Sequence, residues 1–181
     1  MRAHLRRGRS AIALLAALAL VAGCGGGGGG ETTSAQTQGR RVVGPGFTFS
    51  APASWNVSHD ARSATVKPGG NEPTLGSVTA LTLRSKYMPR LYTKVAKELD
   101  TVTSSLADKL NGKVIARRDV ISSGIRSRQY DLAYEKDGER LVDRVTFVLK
   151  GTHEYYVLCR WLADRGEPEA CGLLLRTLAA R

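Results

Sequence analysis

The sequence predicts an α+β domain, an antiparallel β-sheet flanked by helices. Three observations carry that prediction. Residues 113–161 read as four consecutive strands separated by tight-turn signals. Upstream, apolar residues between Leu91 and Leu110 recur at helical spacing. A short apolar helical pattern closes the chain after Pro168.

The elements before the domain are an address. Arg2, Arg6, Arg7 and Arg9 lie in the first ten residues with no acid among them, and the apolar run Ala11 to Gly23 follows. That run is short for a span, since a bilayer core takes about 20 apolar residues. A basic start before a compact apolar stretch reads as a secretory signal peptide. Its last residues, Val21-Ala22-Gly23-Cys24, resemble the bacterial lipobox. The resemblance implies cleavage between Gly23 and Cys24 and a diacylglyceryl group on the Cys24 thiol, with acylation of the new amine left open. Two or three fatty chains anchor a protein stably, where one holds only marginally. The expected location is therefore the outer face of the cell membrane, with the membrane itself as a partner through the lipid. Residues 1–23 are the expected signal peptide and residues 24–40 the lipidated cysteine with a flexible linker. Six glycines, Gly25 to Gly30, open that linker, and it has too little apolar surface to fold. As a glycine-rich coil it reaches roughly 20–24 Å. Residues 41–181 are the expected globular domain.

The formal charge is +11, yet beyond the signal peptide the cations alternate with acids. That pattern is a solvated surface rather than a phosphate-binding stripe, and no nucleic-acid partner is expected.

Within the domain, "GFTFSAP" (Gly46 to Pro52) alternates Phe47 and Phe49 and is closed by Pro52, a strand ending. "SWNVS" and "SATVKP" are further extended pieces, Lys67 to Pro73 is a loop, and Ser77 to Ser85 is rich in β-branched residues. Leu91, Val95, Leu99, Val102, Leu106 and Leu110 form one helical stripe, expected to pack on the sheet. Pro89 suits its first turn and Asn111-Gly112 its end. Four strands follow, about 113–121, 126–135, 141–150 and 153–161. Ser123-Gly124, Asp137-Gly138 and Gly151 mark the turns of an antiparallel meander. Val145, Phe147 and Leu149 point one way and Val142 and Val148 the other, so both faces of the sheet are expected to be at least partly covered. The last helix opens at Pro168 and is expected to bury Leu174, Leu175 and Leu178.

This order of elements, with the aromatic opening formed by Phe47, Phe49, Pro52 and Trp55, resembles the PsbP-like α/β/α sandwich, and in particular the small LpqN-type lipoproteins of actinobacteria. The resemblance covers about Val43 to Leu178 and brings no shared catalytic residues. A metal role proposed for photosynthetic members has no matching His/Asp cluster in this chain, so no metal and no cofactor are expected.

Cys159 lies in the last strand, in phase with Tyr155, Val157 and Trp161, and Cys171 in the first turn of the last helix. In an exported domain two such cysteines predict a structural disulfide. Closing a loop of about 12 residues is worth roughly 3 kcal/mol in the chain-entropy treatment. A redox pair would stand closer in sequence, as Cys-x-x-Cys does.

Catalytic motifs are sparse. Of three histidines, His4 goes with the signal peptide, and His59 and His153 have no ligand-type partner at zinc spacing. No Gly-x-Ser-x-Gly elbow and no phosphate-cradling glycine loop follows a strand. Arg126, Arg128, Tyr130 and Tyr134 share one side of a strand and form the candidate surface for a ligand or partner, against the plainer reading of an outer strand face covered by arginine stems. The expectation is a non-enzymatic binding or accessory module for a lipid, glycan or protein of the cell envelope. Alternatives are an envelope assembly or stress factor acting through protein contacts alone, and a small hydrolase without a recognisable motif.

Overall fold

A computed structural model describes residues 39–181, and the expected signal peptide, Cys24 and nearly all of the linker lie outside the described residues. The described chain forms two antiparallel sheets and two helices. Strands β3 (Asn56–His59), β4 (Ser63–Lys67), β5 (Leu75–Thr82), β6 (Lys113–Ser122), β7 (Ile125–Lys136), β8 (Glu139–Lys150) and β9 (His153–Leu162) make the large sheet, in the order β3-β4-β5-β9-β8-β7-β6. The predicted four-strand meander is therefore present, and β5 extends it beyond β9.

The turns explain the register. Asp137 (φ 55°) and Gly138 (φ 80°) both adopt the left-handed backbone that a two-residue hairpin requires, as do Ser123 (φ 55°) and Gly124 (φ 71°). Cross-strand pairs such as Tyr130↔Val145 and Val145↔Leu158 then place alternate residues on fixed faces.

One face carries the main core. Val78, Val148, Tyr155, Val157, Cys159 and Trp161 are buried on it beneath a second layer. That layer consists of β1 (Arg40–Gly44), β2 (Phe47–Ala51), α2 (Glu169–Thr177) and β10 (Ala179–Ala180). The small sheet has the order β1-β2-β10. Phe47 and Phe49 point into the core as the alternation predicted, and Phe47 meets Tyr155 edge-on at 6.2 Å. Helix α2 starts after Pro168 and buries Cys171 and Leu174, with Leu178 just beyond it, while Leu175 is only partly covered. Gly76 of β5 makes this packing close: a Cβ there would stand 2.9 Å from Leu174 Cδ1 and 3.2 Å from Val66 Cγ2. Strands β1 and β10 were not expected, because "RRVVG" has no sustained alternation and β10 is two residues long.

The other face carries α1 (Tyr92–Lys109), entered through a 3-10 turn at Pro89–Leu91 and packed on β6 and β7. Here the expected packing needs correction. The residues that α1 buries are Tyr92, Thr103 and Ala107. Leu99 and Leu106 of the stripe pack, partly buried, against Tyr130, Leu132, Val145 and Phe147 of the sheet, whereas Leu91 remains 38% exposed and Val102 56% exposed, so only part of the apolar stripe lies beneath the helix. No described helix is long and apolar enough to cross a membrane.

A candidate ligand-binding trough beside helix α1

Polar side chains set the orientation of α1. Asp100 accepts from Arg128 Nη2 at 3.0 Å and from the Tyr130 hydroxyl at 2.7 Å. Asp119 of β6 accepts from the Tyr92 hydroxyl (2.6 Å), Arg126 Nη2 (2.6 Å) and Arg128 Nη1 (2.9 Å). Arg126 also lies over the Tyr92 ring, 4.2 Å from its centre. The Tyr92 hydroxyl, more than offsetting desolvation together with the two guanidinium groups, lowers the Asp119 pKa to about 2. Burial, reinforced by the Asp100 carboxylate, raises Tyr130 to about 12. Two aspartates, two arginines and two tyrosines thus fasten the helix through charge-assisted bonds.

The flank displaced by this fastening lines a trough. Its middle part, about 320 Å³, lies between Leu91 of the 3-10 turn, Val95, Leu99 and Val102 of α1, and Leu149 and Glu154 of the sheet. The segment Leu83 to Tyr87 closes one wall. It is held by Leu83 N donating to Thr152 O (2.8 Å) and Tyr87 N to Gly151 O (2.7 Å). Val102 is shared with a further part of about 400 Å³, lined by Leu106, Phe147 and Tyr156. Tyr87 and Leu149 are shared with a third of about 380 Å³, where Arg126 and Lys150 stand. The three adjoin through these shared residues, apolar toward Phe147; at the other end Arg126 is paired with Asp119 and Lys150 Nζ donates to Ala180 O (2.8 Å).

The predicted surface patch is corrected by this geometry. Arg126, Arg128, Tyr130 and Tyr134 do share one strand face, but it is the face under α1. Tyr130 is fully buried and Tyr134 nearly so. Arg128 is locked between Asp100 and Asp119, and only Arg126 reaches the trough. They are chiefly the fastening of the helix, not an open ligand surface.

The expected disulfide is also corrected. Cys159 and Cys171 are brought together as the fold-back of α2 onto β9 implied, but both are free, buried thiols. A hydrogen bond to Cys171 and burial raise the Cys159 pKa, as expected for an unreactive core thiol. Cys24 and the Gly23–Cys24 cleavage position lie outside the described residues. His59 is exposed at the end of β3, and His153 stacks on Tyr155. Among the described residues no group of three or more His, Cys, Asp or Glu is placed to hold a metal.

Two further ionic groups support the sheet. Asp143 holds Arg160 through two bonds of 2.7 and 2.9 Å. On the opposite face Asp131 bridges Arg118 and Arg144, and Arg144 also pairs with Glu167.

The class defined by these features is an α+β domain with one helix fastened to half of an antiparallel sheet and a second layer beneath. No protein-family model matches the chain, and no curated protein does. Among solved structures it is similar to CyanoP, the cyanobacterial PsbP of Synechocystis, with a TM-score of 0.59 at 12% identity over 87% of this chain and 98% of that one. It is also similar to a Bacteroides thetaiotaomicron protein, with a TM-score of 0.56 at 16% identity over 80% of this chain. It spans about half (49%) of that protein's length. LpqN of Mycobacterium tuberculosis, a protein involved in cell envelope biogenesis, aligns with a TM-score of 0.47 at 10% identity over 80% of this chain and 86% of that one. The fold is PsbP-like, and at these identities the likeness concerns the fold alone.

Proposed function

We propose that the protein is a lipid-anchored, extracytoplasmic module of the cell envelope that acts without catalysis, holding a single-chain amphiphile in the trough beside α1. The observation that carries this reading is the partly displaced stripe: Leu91, Val95, Leu99 and Val102 line one cavity beside the helix, and Val102 and Leu106 the adjoining one. Apolar lining with a few polar groups is the composition of small-molecule sites. The part beside Tyr87 and Tyr92, where Arg126 pairs with Asp119, suits the polar part of such a ligand, and the Phe147–Tyr156 end suits the chain. The anchor rests on the Val21-Ala22-Gly23-Cys24 sequence.

The test uses the mature chain carrying Cys24→Ala, so that no acyl group of its own competes. Phenylnaphthylamine, an uncharged fluorescent probe of apolar sites, should bind saturably and be displaced by twelve-carbon amphiphiles. Val102→Glu, at a half-exposed position, should abolish binding while leaving the unfolding temperature close to the parent value. Absence of saturable binding, or equal binding by V102E, would overturn the reading in favour of a role through protein contacts.

A further inference from the structure

The segment that leads into α1 breaks a local rule. The first turn of a helix favours acids and disfavours cations. The turns that open α1 hold no acid and carry Arg90 and Lys94 instead. Between Glu72 and Glu98 the sequence has no acid at all, and its last part supplies five cations, Arg84, Lys86, Arg90, Lys94 and Lys97. All five are exposed, and among the described residues none of them pairs with a carboxylate. Arg118, Arg126, Arg128, Arg144, Arg160 and Arg165 are, by contrast, each met by an acid. Arg84 and Lys86 belong to the Leu83–Tyr87 wall of the trough, and Lys94 and Lys97 to the helix that forms its other wall. Between these pairs in sequence, Met88 and Leu91 are each 38% exposed, two of the few large apolar side chains left in water. The acids of the same cavity are Glu98 and Glu154, so the cations outnumber them.

Grouped cations without partners repel one another, and a surface of opposite charge relieves that repulsion. Clustered lysine and arginine with exposed apolar side chains among them is the pattern of contact with an anionic lipid surface. There each cation adds about five-fold to the partition constant. The linker expected after Cys24 holds the domain within roughly 20–24 Å of the headgroups, so even weak docking is populated. Resting on the lipid-anchored location above, we propose that this patch is the face with which the domain docks on a membrane containing anionic phospholipid. Met88 and Leu91 enter the headgroup layer, and the Tyr87–Tyr92 end of the trough comes to lie at the level of the headgroups.

The experiment measures partition of the Cys24→Ala mature chain onto vesicles of phosphatidylcholine alone and of equal parts phosphatidylcholine and phosphatidylglycerol. The parent should bind only the anionic vesicles. The double variant R84Q/K86Q should bind about twenty-fold more weakly at an unchanged unfolding temperature, because two exposed, unpaired cations are lost. The double variant K136Q/R140Q removes the same charge beside the Asp137-Gly138 turn, at the opposite end of β8 from Gly151, which holds Tyr87. It should bind within about two-fold of the parent. Met88→Cys carrying an environment-sensitive fluorophore should shift to the blue on anionic vesicles. Equal losses in the two double variants, or binding without that shift, would overturn the patch in favour of general attraction of a basic protein. No binding of the parent to anionic vesicles would overturn it too and leave these cations to an acidic protein. The anchor is read separately, from the mass of the Cys24 peptide in chain recovered from membranes: a lipidated peptide without vesicle docking removes the patch and keeps the anchor.

Discussion

Asp119→Asn tests the fastening of α1 most directly. The substitution keeps the side-chain volume and an acceptor for the Tyr92 hydroxyl but removes the charge that faces Arg126 and Arg128. Folding lowers the Asp119 pKa from 3.8 to about 2, a shift that corresponds to about 2.4 kcal/mol. The Asp119 side chain is 33% exposed, so solvent screening reduces that to about 1–2 kcal/mol. The sign follows from linkage. The folded pKa lies below the unfolded one, so the stabilisation is complete above the unfolded value and is lost as pH falls through about 2. Urea unfolding of parent and variant should therefore differ by about 1–2 kcal/mol at pH 7 and by about half as much at pH 3. The corresponding loss in unfolding temperature at neutral pH is about 3–6 °C. A difference independent of pH would show that the asparagine disturbs packing rather than charge. No difference at pH 7 would show that Asp119 does not fasten the helix at all.

Three further outcomes follow from packing and thiol chemistry. Thr103 is fully buried and its hydroxyl has no partner, so Thr103→Val should raise stability by about 1 kcal/mol in denaturant unfolding; a loss would mean that the hydroxyl is bonded. Gly76→Ala places a Cβ 2.9 Å from Leu174 Cδ1 and should destabilise by about 1–3 kcal/mol through overpacking, read as a lower urea midpoint; a neutral result would mean that α2 can move away. Cys159 and Cys171 should resist alkylation in the native protein and both label in denaturant without reductant; peptides joined by a disulfide would contradict the free thiols.

The parts of the fold legible in the sequence are those determined locally. Asp137-Gly138 and Ser123-Gly124 specify their turns whatever the tertiary context, and the strand alternation between them then assigns faces. Strand β10 is not legible, because it is held by distant contacts: pairing with β2, Lys150 Nζ donating to Ala180 O (2.8 Å), and Ala180 N donating to Ser123 Oγ (3.0 Å), 57 residues away in sequence. The shared face of Arg126, Arg128, Tyr130 and Tyr134 was legible, but which layer covers it was not. Periodicity reports a common face and is silent on what lies above it. The proximity of Cys159 and Cys171 was likewise implied by the return of α2 to β9, whereas the state of the sulfurs was not. The trough joins residues 83–102 to residues 147–156, and no single stretch of sequence contains it.

The orientation of α1 connects these observations. Rotating the helix to put Leu91, Val95 and Val102 beneath it would bury more apolar area, at about 25 cal/mol per Å². The same rotation would draw Asp100 away from Arg128 and Tyr130, and Tyr92 away from Asp119. Arg128 and Tyr130 would then lose their acceptors, and because these pairs are partly exposed each lost contact is on the screened scale of about 1–2 kcal/mol. Two such fastenings oppose the apolar gain from side chains that are already partly covered in the observed orientation. The helix therefore keeps Leu91 and Val102 at the edge of the trough while Leu99 and Leu106 pack on Tyr130, Leu132, Val145 and Phe147. That makes the trough a property of the Asp100–Arg128–Asp119 arrangement as much as of its own lining. Loosening the fastening, as Asp119→Asn does, should accordingly weaken probe binding in the trough as well as stability, although Asp119 is not among the residues that line it.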